Sequence, residues 1–362
     1  MAKKWELYEE SFLRKHLFED PKEVHLLFSE QYGLTRSLES VRKKMIRLRE
    51  EAIESQETAE ELEELEEVYS PLHLLDPAIV KQQAALWLRE VSKIKPSTFD
   101  NTNHVRSNNK SLVIVISDVH WGKKTNTFNM DIASNRILSI PHYLYHSDTP
   151  NFDEIVVILL GDLVEGEDIF AHQQSVIEAP VISAWKQGTE AIWQLLLDLQ
   201  ERFNVPIRVE CVPGNHGRMS KTANPVSNWD SAIALSLQMI NEAAQQENID
   251  IDVSLHPFKV INVKGARLLL YHETPKQIGT AAPALKVAGW VISKDVDILV
   301  GGHYHYRSFE SYMGRSKISN GCVPGGDDLG ERMGREDPAS QCYFFIDPTK
   351  EGWISSYHFL QW

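Results

Sequence analysis

The stretch "LVIVISDVHWG", residues 112–122, joins a run of β-branched residues to an aspartate and a histidine two positions apart. Leu112 to Ile116 reads as a strand buried on both faces, the pattern of a strand inside a layered sheet. Asp118 and His120 follow where that strand leaves the sheet. Side chains two apart on an extended chain point the same way, so a carboxylate and an imidazole can converge on one point beyond the strand end. The pair is either two metal ligands or a turn.

Four further apolar runs end in the same way. "EIVVILLGDLVEG" runs from Ile155 to Leu160, breaks at Gly161 and delivers Asp162. "IRVECVPGNHGR" breaks at Pro213 and Gly214 and delivers Asn215 and His216. "RLLLYHET" delivers His272, and "VDILVGGHYHY" delivers His303 and His305. Taken singly, a Gly-Asp pair is an ordinary turn and a strand-end histidine an ordinary core or surface residue. Together they gather five of the chain's 14 histidines at the same end of predicted strands, and ligands outside the carboxyl ends of strands are the geography of an α/β active site. The remaining histidines, among them His142, His146 and His172, read as structural or surface residues.

The ordered series "DVH", "GDLVE", "GNH", "H" and "GHYH" resembles the calcineurin-like metallophosphoesterases, over roughly residues 111–325. The resemblance implies an α/β fold: a calcineurin-like phosphoesterase four-layer α/β/β/α sandwich, two packed sheets flanked by helices, with a dinuclear metal centre above them. It implies that Asp118, His120, Asp162 and His305 hold one ion, that Asp162, Asn215, His272 and His303 hold the second, and that Asp162 bridges them. Carboxylate and imidazole donors suit two divalent ions, Mn²⁺ first, with Fe or Zn²⁺ as the other choices. Two ions about 3.5–4 Å apart can share a carboxylate, activate a water and neutralise phosphate oxygens during in-line displacement.

His216 is left over once both ions are supplied, and its counterpart in the family is the general acid that protonates the leaving group. Family members often read GNHE or GNHD, whereas this chain reads "GNHGR". Glu165, three residues after Asp162, is then the candidate that orients His216. Arg218 is either a bidentate phosphate clamp or a surface arginine. "NWD" at 228–230 is a candidate brace for the GNH loop, and "YHET" replaces the more usual histidine-glycine, which narrows access to the ligand.

The amino-terminal residues 1–50 read as a small helical domain of three short helices: 5–18, 21–32 and 37–49. Asp20 is placed as N-cap with Pro21 at the first helical position and Glu23 completing a capping box. The third helix puts Val41, Met45 and Leu48 on a core face and Arg42, Lys43, Lys44, Arg47 and Arg49 around the rest. Trp5, the "EE..FL" pattern and "S.ESVRKKMIRL" resemble Myb/SANT-like helix-turn-helix domains, which implies DNA binding. The alternative is a small bundle that docks on protein with a solvated basic face.

Residues 51–108 read as an acidic helical spacer, a further helix at 77–94 and a polar linker, "KPSTFDNTNHVRSNNK", which places the start of the phosphoesterase domain, 109–362, just beyond residue 108. "QCYFFID" and "WISSYHFLQW" read as strands completing the sheets, with an aromatic face that could also serve an interface.

Composition bounds the function. The 362 residues carry a net charge of −14, which argues against indiscriminate nucleic-acid binding and leaves local binding open. No signal-peptide core or membrane span is read, so the chain is expected in the cytoplasm without a membrane partner. Cys211, Cys322 and Cys342 lack metal or disulfide spacing and are expected as buried thiols. Within the family, "GDLVEGEDIFAHQ", "PGNHGR" with "SNWD", and "GGDDLG" look most like phage and bacterial phosphoesterases and, less closely, the proofreading subunit of archaeal family D polymerases. That likeness implies a nucleic-acid phosphodiesterase, a DNA exonuclease or endonuclease working with replication or repair proteins. The alternative is a phosphatase or cyclic-nucleotide phosphodiesterase for a small molecule or phosphoprotein.

Overall fold

The computed structural model describes residues 5, 12–13, 16, 20–32, 36–48, 77–99, 108–147, 150–170, 173–253, 256–272, 283–326 and 337–362. The acidic stretch 50–67, the linker residues 100–107, Arg49, His172, the last two residues of "YHET" and the last four of "GGDDLG" lie outside the described residues. The chain divides into two compact units, Met1–Ala85 and Leu86–Trp362.

In the first unit, α1 (Pro21–Tyr32) begins where the Lys22 N–H donates to Asp20 Oδ1 at 2.8 Å, the expected N-cap. A second helix, α2 (38–48), is capped by Ser37, whose Oγ accepts from the Ser40 N–H at 3.2 Å. Val41, Met45 and Leu48 turn inward against Phe12, Leu13, Val24 and Phe28. Arg42, Lys43 and Arg47 are exposed, the split that the 3.6-residue period dictates. The Arg36 guanidinium lies 4.4 Å over the Trp5 ring.

The second unit starts inside α3 (Pro77–Val91), earlier than polar composition suggested. Trp87 and Leu88 pack on its main core, and the Trp87 indole donates to Glu190 at 3.0 Å. Ser97 donates from both its N–H and its hydroxyl to the Asp198 carboxylate, and Arg202 sits 3.7 Å over Phe99. Residues 86–99 are thus fastened to this unit by the apolar contacts of Trp87 and Leu88 and by directed polar contacts at Ser97.

Two sheets build this unit. The first runs β11 (Ile354–Gln361), β10 (Ser340–Ile346), β1 (Ser111–Ile116), β2 (Glu154–Leu159), β3 (Ile207–Cys211), β4 (Ile249–Val253). The second runs β5 (Phe258–Val263), β6 (Ala266–Tyr271), β7 (Ile298–Gly301), β9 (Arg315–Ser319), β8 (Ser308–Tyr312). The period of two sorts their side chains into three cores. Leu112, Ile114 and Ile116 share a core with α4 (Met130–Leu138), α5 (Ile140–His146), α6 (Val181–Phe203) and α7 (Trp229–Ala244) through Ile137, Leu144, Leu195, Leu196, Ile233 and Leu237. Val113 and Val115 face the other sheet through Leu268, Leu270, Ile298 and Val300. Leu269 and Leu299 face away again, onto Val287 and Val291 of α8 (Pro283–Lys294). Helix, sheet, sheet, helix is the expected four-layer sandwich, and the apolar runs are continuous because both faces of these strands are covered.

Strands β1, β2 and β3 are mutually parallel, as are β6 and β7. Their carboxyl ends deliver residues 117–122, 160–165, 212–218, 272 and 302–305. All three cysteines are free and buried, and no helix among the described residues is long and apolar enough to cross a membrane.

Candidate metal centre

Five of the seven expected ligands sit in the left-handed backbone region: Asp118 at φ 51°, His120 at 55°, Asp162 at 49°, His303 at 77° and His305 at 57°. Each such residue costs about 1–3 kcal/mol and persists only where its surroundings over-determine it. Here the surroundings are backbone hydrogen bonds between strand ends. The N–H of Asp118 donates to the Gly161 carbonyl, that of His120 to the Asp162 carbonyl, and that of Val323 to the Asp118 carbonyl, each at 3.0 Å. Abrupt left-handed turns after β1, β2 and β7 put their polar side chains at the sheet edge.

Those side chains form two clusters, Asp118–His120–His305 and Asp162–His272–His303, with the ligand atoms of each lying within 4.8 Å of one another. The clusters adjoin: the His303 N–H donates to the Asp118 carboxylate at 3.1 Å, and His272 Nε2 lies 3.8 Å from Asp118 Oδ1. Asn215 joins through its N–H, which donates to Asp162 Oδ1 at 2.7 Å.

Three features show that these donors suit cations. His272 Nδ1 lies 2.6 Å from the Leu160 carbonyl, which can only accept, so Nδ1 carries hydrogen and Nε2 faces Asp162 Oδ2 at 2.8 Å. A neutral ring there would set lone pair against lone pair, and either a second proton or a metal ion resolves it. Burial lowers the basicity of His272, but Asp162 and Asp118 outweigh it and push the ring up to about 9, so the proton takes that place when no ion does. His120 Nδ1 is likewise engaged by Glu165 Oε2 at 2.6 Å, which leaves Nε2 turned toward His305 Nε2 at 3.3 Å. Asn215 Oδ1 is buried with no hydrogen-bond partner, the condition a ligating amide oxygen leaves behind.

Glu165 joins the two parts of the site. Its Oε2 holds His120 and its Oε1 lies 2.8 Å from His216 Nδ1, while Gln173 Nε2 donates to Oε1 at 2.6 Å. Burial would raise the Glu165 carboxyl, but the flanking imidazoles win and hold it far below the usual carboxylate range. Burial also opposes charge on His216, and there the Asp162 and Glu165 carboxylates win, raising its pKa. His216 therefore keeps a proton, with Nε2 free of the Glu165 bond. Arg218 lies half-buried two residues on, in a β-bridge with Asn228.

What braces the loops is less legible from sequence. Asp230 accepts from the N–H groups of Asp162, Leu163, Val164 and Gly214. Burial and then the Asp162 charge push Asp230 up to about 6, with those donors opposing. Asn228 caps α7 and donates to the Gly214 carbonyl at 2.8 Å, so "NWD" ties the Asp162 turn to the GNH loop. The loops approach so closely that a Cβ on Gly214 would meet the Asp162 nitrogen at 2.2 Å. Behind Asp118, the Ser117 hydroxyl donates to Oδ2 at 2.5 Å and is itself held by Asn320, which also bonds Gln341. Neither Asn320 nor Gln341 stands in a recognisable motif.

No family model matches the chain, and no curated protein matches it. Among solved structures it is similar to a conserved uncharacterized protein, a predicted phosphoesterase, from Streptococcus pneumoniae TIGR4, at 15% identity over 70% of this chain and 90% of that one, with a TM-score of 0.32. It is also similar to a novel archaeal phosphodiesterase (13% identity, 69% and 99%, TM-score 0.34) and to zinc-complexed Vps29 from Entamoeba histolytica (13%, 69% and 98%, TM-score 0.32).

Proposed function

We propose that the chain is a dinuclear-metal-dependent phosphoesterase whose substrate is a phosphodiester of nucleic acid. The observation that carries the reaction class is the sharing of labour around Asp162. Asp162 lies in the buried Asp162–His272–His303 cluster, which adjoins Asp118–His120–His305, and a protonatable histidine lies just outside both, tethered to a carboxylate. Bound there, two divalent ions supply Lewis-acid polarisation of the phosphoryl group and lower the pKa of a water molecule.

The chain's own residues do the rest. Asp118, His120 and His305 converge on one side, and Asp162, His272, His303 and the Asn215 amide oxygen on the other. Glu165 fixes the His120 tautomer so that Nε2 is the donor atom. Through its second oxygen it keeps His216 protonated at Nδ1, so that Nε2 can give its proton to the departing alkoxide. The expected role of Arg218 is to bind a non-bridging phosphate oxygen.

Nucleic acid as substrate is supported by the first unit, where α2 carries exposed Arg42, Lys43 and Arg47 opposite its core face, a pattern suited to a phosphate backbone. On this reading the unit delivers a DNA exonuclease or endonuclease to its substrate or to a replication or repair assembly. The net charge of −14 favours a second reading, a phosphatase or cyclic-nucleotide phosphodiesterase with a small substrate. Labelled single- and double-stranded DNA, a simple phosphodiester and a phosphomonoester, each with Mn²⁺, Mg²⁺ or Zn²⁺, separate the two. Cleavage of DNA, best with Mn²⁺, is expected; turnover confined to the monoester or to a cyclic nucleotide contradicts the nuclease reading.

A further inference from the structure

We propose that Phe170 is a stacking platform for the nucleobase of the leaving nucleoside, so that the site selects phosphodiesters bearing a base on that side. The inference rests on the phosphodiesterase reading and names the group that Phe170 recognises.

Phe170 lies 4.6 Å, centroid to centroid, from the His216 ring, tilted 40° to it, and keeps 41% of its surface exposed. The ring covers the histidine with one part and offers the rest to solvent. His216 Nδ1 is taken by Glu165, so the leaving oxygen must approach Nε2, on a ring that Phe170 flanks.

The backbone that carries the ring is tied to the site. Gln173, itself buried, accepts from the N–H groups of Ile169 and Phe170 through Oε1 and donates to Glu165 through Nε2. The same carboxylate that orients His216 thus indexes the platform. A second tie is the Lys221–Asp168 ion pair at 3.5 Å, which joins the Phe170 loop to the segment after His216. Close backbone approach is a third: a Cβ on Gly166 would meet the His216 carbonyl oxygen at 2.3 Å. An exposed aromatic ring fixed beside a proton donor suits a flat heteroaromatic group, because every base has a π-face and stacking tolerates sequence.

The test uses the full chain with Mn²⁺ and three thymidine dinucleotides: one intact, one lacking the leaving-side base and one lacking the retained-side base, the products showing which side leaves. Removing a base from the sugar keeps the leaving oxygen's chemistry nearly constant. Phe170→Leu preserves an apolar cover for His216 but abolishes stacking. It should raise KM for the intact substrate about tenfold, within the range for one base stack, with kcat little changed. The substrate without a leaving-side base should lose less than twofold, and Phe170→Trp should restore the intact rate. Quenching of 2-aminopurine placed on the leaving side of a non-hydrolysable phosphonate analogue should vanish in Phe170→Leu and persist in Phe170→Trp. Equal losses on all three substrates, or a loss that follows the retained base, overturn the platform while leaving the phosphodiesterase reading intact. Absence of hydrolysis of any dinucleotide by the unaltered chain overturns that reading and the platform with it.

Discussion

Glu165 Oε1 stands 2.8 Å from His216 Nδ1, and its other oxygen holds His120 Nδ1 at 2.6 Å. One carboxylate therefore orients both the candidate metal ligand and the proposed proton donor. Glu165→Gln should retain much of the bound metal yet slow hydrolysis of nucleotide esters by about 10–100-fold, the usual effect of losing a partner behind a metal ligand. Its pH–rate profile should shift its basic limb to lower pH, because the carboxylate that raises the His216 pKa is gone. A profile unchanged in position would show that Glu165 does not act on the proton donor.

His216→Ala should leave metal content intact and slow nucleotide esters by about 10²–10⁴. Nitrophenyl esters, whose leaving group needs little protonation, should lose much less. Equal losses on both substrate types would remove His216 from the general-acid role.

Asp230 is a positioning residue that no ion or substrate need touch. Replacing it with alanine strands four backbone N–H groups in the interior, at a cost on the order of 3 kcal/mol. Asp230→Ala should lower the unfolding midpoint and weaken metal binding together; Asp230→Asn, which keeps acceptor capacity, should be milder. A normal midpoint in Asp230→Ala would mean that those N–H groups find other partners.

Acidity should couple to metal through His272. Without an ion its pKa lies at about 9, above the 6.5 of an unperturbed ring. The stability that this proton confers is fully present below pH 6.5 and fades as pH rises through 9. A divalent ion displaces the same proton, so the rise in unfolding temperature on adding metal should grow between pH 6.5 and 9. Differential scanning calorimetry with and without metal reads this. A metal effect independent of pH would put the ion elsewhere.

Legibility in the sequence followed burial. β1, β2, β6 and β7 are covered on both faces by apolar neighbours, so each wrote a largely apolar run with a candidate ligand after it, whereas β3, "IRVEC", alternates because Arg208 and Glu210 meet Asn262 and Lys259 of β5. β8, "SFESY", is a mostly exposed edge strand and wrote no such run. β4, "IDIDV", alternates over five residues, too short a signal to separate from a loop. The candidate ligands were legible because the spacing within each motif is local. Their supports were legible only in part: "NWD" stood out as a brace for the GNH loop, but not the hold of Asp230 on Asp162 from 68 residues away, nor that of Asn320 on Ser117 from 203. Hydrogen bonds across such separations leave no periodic trace in one chain.

Delivery and chemistry should separate, with the cut placed by the structure. A chain beginning at Leu86 retains Trp87, Ser97 and Phe99 on the second unit and should turn over a small phosphodiester as the full chain does. A chain beginning at Asn108 lacks those three residues and should unfold at a lower temperature. DNA affinity should fall in both, with the salt dependence of binding shallower by about 0.9 in log–log slope for each duplex phosphate that the chain no longer neutralises. Unchanged affinity and slope would assign the first unit to protein docking.

Asp162 as the proposed shared ligand of two ions should show in elemental analysis of the metal-reconstituted full chain and of Asp162→Asn, each paired with its phosphodiester hydrolysis rate. The unaltered protein should hold two ions per chain, with hydrolysis lost to a chelator and restored by Mn²⁺. Asp162→Asn should show a clear drop in bound metal and nearly complete loss of hydrolysis. Full metal content and full activity in Asp162→Asn would exclude a shared-ligand role.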